Sequence, residues 1–150
     1  MNTLITLKNF FGTPEAELQE IFADWKVEPY RVHQVFTWVY HYHCRDFNEM
    51  TNLSKSLRSQ LQERFCFALP KIKTRTHSKD GSIKYLLELD DGAEVESVWM
   101  PSDSRKTLCL STQVGCRLNC SFCLTASLGL KRNLTAGEII GQHLAINAEL

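Results

Sequence analysis

The chain has 150 residues, 43% of them hydrophobic and 23% charged, and its 17 Lys plus Arg balance 17 Asp plus Glu for a net charge of zero. That length buries one ordinary core or two small ones, and the composition excludes a disordered, collagenous or coiled-coil chain. The charge balance excludes a polybasic nucleic-acid binder, though not a local basic patch.

The first third predicts three short amphipathic helices. Thr13-Pro14 reads as a cap and first-turn pair, with Glu15 and Glu17 at the positive helix end and Leu18, Ile21, Phe22 and Trp25 on one stripe. A second helix starts near Pro29 and buries Val32, Val35, Phe36, Val39 and Tyr40. A third follows the TNLS stretch at 51–54, with Leu57, Leu61 and Phe65 recurring every fourth residue. Residues 1–68 are therefore expected to form a helical accessory bundle.

Pro70 marks a change of period. Residues 71–79 alternate and carry Lys71, Lys73, Arg75 and Lys79 without an acid, which suits either contact with phosphates or a charged sheet edge that resists aggregation. Asp80-Gly81 is a hairpin signal, and two strands over 83–89 and 93–100 meet at the turn 90–92. Residues 69–105 are thus an antiparallel β extension. A fourth strand over 108–112 leads into a cysteine-bearing loop, and the capping box TAGE at 135–138 opens a helix running to Leu150. Residues 106–150 read as the opening βα unit of a larger α/β domain, with its strand edge and helix face lacking neighbours. The fold class is α+β followed by α/β.

Six cysteines occupy positions 44, 66, 109, 116, 120 and 123, four of them within fifteen residues. The apolar runs are too short to span a bilayer, and residues 1–11 show neither a charged lead-in nor a small-residue cleavage site. A cytoplasmic protein with no membrane partner is expected, where thiols stay reduced and such a cluster points to chemistry other than disulfide scaffolding. Residues 116–123, CRLNCSFC, place three thiolates on one short loop, able to take three irons of a cubane cluster and leave the fourth open for a small molecule. A zinc site with Cys109 recruited as fourth ligand is the alternative. Phe122 between the last two thiols suits packing on a bound cofactor or in a core. His41, His43 and Cys44 lie at spacings that do not share a helix face, so they read as a solvated helix end, and Cys66 reads as core.

CRLNCSFC resembles the CxxxCxΦC signature of radical S-adenosylmethionine (SAM) enzymes. Its setting, TLCLSTQVGCRLNCSFCLTASLGLKRNLTAGEIIGQ at 107–142, is similar to the RlmN/Cfr family of RNA adenine methyltransferases. YRVHQVFTWVY at 30–40 and DFNEMTNLSKSLRSQL at 46–61 resemble the accessory domain of that family. The resemblance implies a [4Fe-4S] cluster on Cys116, Cys120 and Cys123, SAM whose adenine meets the backbone at Phe122, Glu96 as proton acceptor and Cys109 as the cysteine that resolves a covalent adduct. The implied reaction moves a methyl group to C2 of an adenine in 23S rRNA and in some tRNAs. It passes through a methyl-cysteine and an RNA–protein intermediate, with an electron donor such as flavodoxin and a monomer when complete.

The sister activity at adenine C8 shares these residues, while the accessory-domain wording favours C2. Leu124 and Ala126 depart from the smaller residues often found after the last ligand, and HYHCRDF lacks the glycine often preceding its Asp-Phe pair. The family's later barrel strands, glycine-rich SAM strand and methyl-carrying cysteine have no counterpart in these residues. The chain alone is therefore expected to be inactive, its core a truncated partial (β/α) barrel. A non-catalytic RNA-binding module or a zinc-binding fragment are the readings of a different class, which metal analysis and RNA affinity separate.

Overall fold

Phe10 organises the first of two units, Met1–Phe67 and Ala68–Leu150, in a computed structural model that describes residues 7–118 and 120–150. Residues 1–6, part of the stretch read as lacking a charged lead-in, and the side chains of Leu124 and Ala126 lie outside the described residues. A two-residue strand β1 (Lys8–Asn9) pairs in parallel with β2 (Phe65–Cys66), and Phe10 N donates to Cys66 O at 2.8 Å. This short ladder draws Phe10 into the centre, where the rings of Phe36, Tyr40, Phe47, Phe65 and Phe67 surround it with centroids 5.5–6.5 Å away. Tilted and edge-on contacts of this kind add to the apolar area they bury. The two-residue pairing has no periodicity and was not legible in the sequence.

Helix α1 (Glu15–Asp24) buries Leu18, Ile21 and Phe22 as expected. Its N-cap is Pro14, not Thr13: the Thr13 hydroxyl donates to Asn9 O at 3.2 Å and supports the preceding turn. Helix α2 (Tyr30–Phe36) widens into a π-helical turn, Thr37–His41, in which Tyr42 N reaches Thr37 O at 3.1 Å. The Thr37 hydroxyl bonds back to His33 O at 2.8 Å, a contact that loosens the regular ladder. His43, at φ 55°, then ends the element in the left-handed region. Helix α3 (Lys55–Arg64) is capped by Ser54, whose oxygen accepts Leu57 N, and it buries Leu57 and Leu61. Phe65 is not its last turn; it is extended and belongs to β2.

The second unit is built on an antiparallel sheet in the order β3 (Lys71–His77), β4 (Ile83–Glu88), β5 (Glu94–Pro101) and β6 (Lys106–Cys109). One face carries Tyr85, Leu87 and Val95, which pack with Val114, Leu134 and Ile146 in one core. Burial pushes the Tyr85 phenol up. Helix α5 (Ala136–Asn147) opens at the Thr135–Glu138 capping box and supplies Ile146 to that core. It approaches so closely that a Cβ on Gly141 would stand 2.8 Å from Pro70 Cδ. The expectation that this helix face lacks a neighbour is therefore corrected: the β extension covers it.

Two further expectations change. The strand expected over 108–112 stops at Cys109, the end of β6, and a separate β7 (Gln113–Gly115) begins four residues later. β7 then pairs antiparallel with β8 (Leu130–Asn133). The cysteine loop is thus the tip of a hairpin, and the β3–β6 and β7–β8 ladders among the described residues of this unit are antiparallel. On β3 the basic run acquires acids from other elements. Lys73 Nζ lies 2.9 Å from Glu88 and 2.7 Å from Glu94, and Arg75 pairs with Glu149. That favours the protected-edge reading of the strand over phosphate contact.

Candidate functional site

Antiparallel register decides which of the candidate residues meet. Val98 on β5 opposes Cys109 on β6, and Leu86 on β4 opposes Glu96, so side chains at 86, 96, 98 and 109 share one face of the sheet. α5 packs on the other face, with Tyr85 and Leu87. Glu96 and Cys109 therefore stand as diagonal neighbours on adjacent strands, both exposed. The Glu96 carboxylate lies 2.9 Å from Lys84 Nζ. β6 is an edge strand, so the Cys109 thiol is presented where the sheet stops.

Directly beyond Cys109, a buried amide holds the chain. Gln142 on α5 is fully buried, and its Oε1 accepts from the Ser97 hydroxyl at 2.8 Å and from Ser111 N at 3.0 Å. Its Nε2 donates to Ser111 O at 2.9 Å and Glu138 O at 3.3 Å, and the Ser111 hydroxyl donates to Glu96 O at 2.6 Å. The Ser111 peptide is thereby taken by a side chain instead of the β5 ladder, which is why the strand breaks after Cys109. The same contacts tie the backbone of Glu96 to the segment leaving Cys109. Gln142 was not singled out in the sequence; a glutamine on an apolar helix stripe, four residues after the capping-box glutamate, is its only signal.

The three remaining cysteines ride on the loop 116–129. Its neck is formed by Gly115 and Gly129, at φ 75° and 66°, with Cys116 N bonded to Gly129 O at 3.2 Å. A Cβ on Gly115 would lie 1.8 Å from Gly129 O, so only glycine permits this closure. Within the loop Cys123 N bonds Cys120 O at 3.1 Å, and Leu118 N approaches Cys116 Sγ at 3.5 Å. A helical turn α4 (Leu124–Ser127) follows the last thiol. Leu118, Phe122 and Leu128 are all strongly exposed, Phe122 at 90%.

Arg132 anchors this hairpin to the rest of the unit. Its guanidinium bonds Asp91 Oδ2 at 2.7 and 2.9 Å and Glu138 at 2.7 and 2.9 Å. The Arg132 hydrogen bond, ahead of the Thr135 contacts, holds Glu138 below the usual carboxylate range. Asp91 is lowered first by the Ala93 amide and then by Arg132.

Cys116, Cys120 and Cys123 are half-buried free thiols. Among the described residues no three His, Cys, Asp or Glu side chains are drawn together as a ready metal cage. The donor set itself fits an iron–sulfur cluster: three thiols on one closed loop, flanked by apolar side chains, with no His, Asp or Glu between residues 116 and 129. Elsewhere, Cys44 is buried and donates to Asp46 O at 3.1 Å, so it is not a solvated helix end. Burial raises its thiol.

Residues 8–67 match the family described as the ribosomal RNA large subunit methyltransferase N-terminal domain. The dual-specificity RNA methyltransferase RlmN of Paracoccus denitrificans is 49% identical over 139 residues, which make up 93% of this chain and 33% of that protein. The protein of the same name from Cereibacter sphaeroides is 48% identical over the same shares. A crystal structure of a radical SAM methyltransferase from Sphaerobacter thermophilus is similar at a TM-score of 0.80 and 38% identity, over 95% of this chain and 42% of that one. The chain thus spans about a third of the length of the curated relatives it matches.

Proposed function

We propose, from the premise that this chain belongs to the RlmN family of RNA methyltransferases, that it carries the base, the resolving thiol and the cluster loop of methyl transfer to adenine C2. The substrates are 23S rRNA and some tRNAs, met in the cytoplasm, with flavodoxin or a similar protein as electron donor. One observation supports this above the others: a three-residue link, 110–112, held at Ser111, leads from the face bearing Glu96 and Cys109 through β7 to the loop bearing Cys116, Cys120 and Cys123.

Each residue has a separate task. Cys116, Cys120 and Cys123 would hold a [4Fe-4S] cluster, which supplies the electron that cleaves SAM, and the exposed backbone at Phe122 would meet the adenine of SAM. Glu96 accepts the proton of the substituted ring carbon, from a carboxylate steered by Lys84. The sulfur of Cys109 then bonds to the sulfur that links RNA to protein. The electron pair of the broken S–CH2 bond goes to the methylene carbon, which takes up a proton to become the new methyl group, and the S–S bond frees the product. An exposed thiol on a strand that ends the sheet among the described residues suits that attack. In the whole protein the loop would sit at the mouth of a partial (β/α) barrel.

Anaerobic reconstitution of this chain with iron and sulfide tests the assignment. About four irons per chain are expected. Ala at position 116, 120 or 123 should abolish the brown chromophore, whereas Cys109→Ala should retain it. Stoichiometric zinc, or iron lost on changing Cys109, overturns the assignment.

A further inference from the structure

The π-helical turn of the first unit does something the core does not need. A regular helix would have kept its stripe of Val32, Val35 and Val39 without widening. The turn Thr37–His41, followed by the left-handed His43, carries Trp38 and Tyr42 with ring centroids 5.4 Å apart and Tyr42 61% exposed. Together with His33, Gln34, Thr37 and Asn52 they line a cleft of about 250 Å³. That is just under the roughly 300–1,000 Å³ of drug-sized pockets, a size for one planar ring system. π-helical turns occur frequently at functional sites.

The walls of this cleft are fixed by hydrogen bonds. Trp38 Nε1 donates to Asn52 Oδ1 at 2.6 Å, so the indole is clamped by its polar edge. Arg31 donates to Gln34 Oε1 and to Asn52 O, both at 2.8 Å, while its guanidinium lies 4.8 Å over the ring of Tyr30. Rigid aromatic walls lose little entropy when a flat partner stacks against them.

A second cleft, of about 320 Å³, lies along the same stretch of chain, lined by Asn48, Lys55, Arg58 and Ser59. Lys55 is three residues from Asn52, at most about 11 Å along an extended chain. Lys55 and Arg58 sit in the opening turns of α3, which has no acid in its first turn. Arg58 donates to Asn48 O, and its buried Nε has no hydrogen-bond partner among the described residues. The two acids that precede the cleft in sequence are otherwise engaged: Asp46 accepts Asn48 N at 2.8 Å, and Glu49 faces the Cys44 thiol at 3.6 Å. An aromatic slot and a cationic cleft whose nearest lining residues are three positions apart match the way single strands are held, by stacking one base and neutralising a neighbouring phosphate.

We propose that the Trp38–Tyr42 slot takes one unpaired base of RNA and the Lys55–Arg58 cleft takes the adjoining phosphate, giving the first unit a single-strand subsite separate from the chemistry of the second. The inference rests on the reading of the chain as an RNA methyltransferase and adds which form of RNA its first unit grips.

The test uses the 150-residue chain and a fluorescently labelled ten-nucleotide oligoadenylate, with an RNA duplex of equal length as competitor, followed by anisotropy at several salt concentrations. The single strand should compete better than the duplex. Tyr42→Ala, on an exposed ring, should weaken binding roughly tenfold, and Tyr42→Phe should restore it. Lys55→Gln should lower the slope of log affinity against log salt by about 0.7. A chain that binds RNA with the same affinity and slope in all three variants overturns the subsite and leaves the RNA partner standing. A duplex that competes as well as the single strand also overturns it. A parent chain that binds neither RNA removes the subsite and the RNA partner together, while the iron stoichiometry of the second unit still reports separately on the radical SAM reading.

Discussion

The two units place their chemistry by opposite means. In the first, a dry aromatic cluster around Phe10 sets the helices, and the polar groups of the Trp38 slot are attached to a frame that does not depend on them. In the second, polar groups are the frame. Gln142 holds Ser97 and Ser111, and Arg132 joins Asp91 to Glu138. The difference teaches where each site is fragile. Loss of apolar volume loosens the first unit. The geometry of Glu96, Cys109 and the cysteine loop instead answers to hydrogen bonds and to pH.

Three measurements break or sharpen that contrast. Phe10→Ala removes a ring that is fully buried among five others and should cost about 3–5 kcal/mol, read from urea denaturation. A cost under about 1 kcal/mol would show that the aromatic cluster is not what holds the unit. Gln142→Met keeps the approximate volume of the side chain and deletes its four hydrogen bonds, leaving Ser97 and the Ser111 peptide unpaired in a buried setting. A loss of about 2–3 kcal/mol is expected, together with faster amide exchange at 109–113. Unchanged exchange there would remove Gln142 from the positioning of Cys109.

The smallest effect is electrostatic. Glu138 is held below its ordinary value in the folded chain, first by Arg132. A depressed carboxylate contributes stability that is complete above its unfolded value, near 4.3, and is lost as pH falls through its folded value. Stability should therefore decline on acidification below about pH 4.3, and Arg132→Gln should flatten that decline. The ion pairs are partly exposed, so salt should shrink the effect. An Arg132→Gln chain with an unaltered acid profile would show that the hairpin anchor does not rest on charge.

Local signals in the sequence carried much of the fold. The stripes of α1 and α3, the turns at Gly81 and Gly92 and the Thr135–Glu138 box were all legible, because each is written within a few consecutive residues. The β1–β2 ladder and the β7–β8 hairpin were not, since they join segments whose own periodicity is too short to register. The break after Cys109 was hidden for a related reason: it is caused by Gln142, thirty-one residues from the Ser111 peptide it captures. For the site, the cysteine spacing and the resemblance named Glu96, Cys109 and the loop thiols, and the register then brought the first two to one sheet face. The Trp38 slot escaped notice because YRVHQVFTWVY reads as an ordinary helix, and nothing in its pattern announces the widened turn.

The neck at Gly115 and Gly129 has a consequence in effective concentration. Left to an open chain, the ends of residues 116–129 would meet only against a loop-closure entropy that grows with the logarithm of loop length. Here that cost is met by the pairing of β7 with β8 and the fit of Val114 and Leu134 into the core. The three thiols are therefore already confined to one small volume before anything binds them, and each one captured raises the local concentration at which the next is offered. A bulky residue at position 115 would reopen the neck and return the thiols to the dilution of a free chain, although every cysteine were still in place.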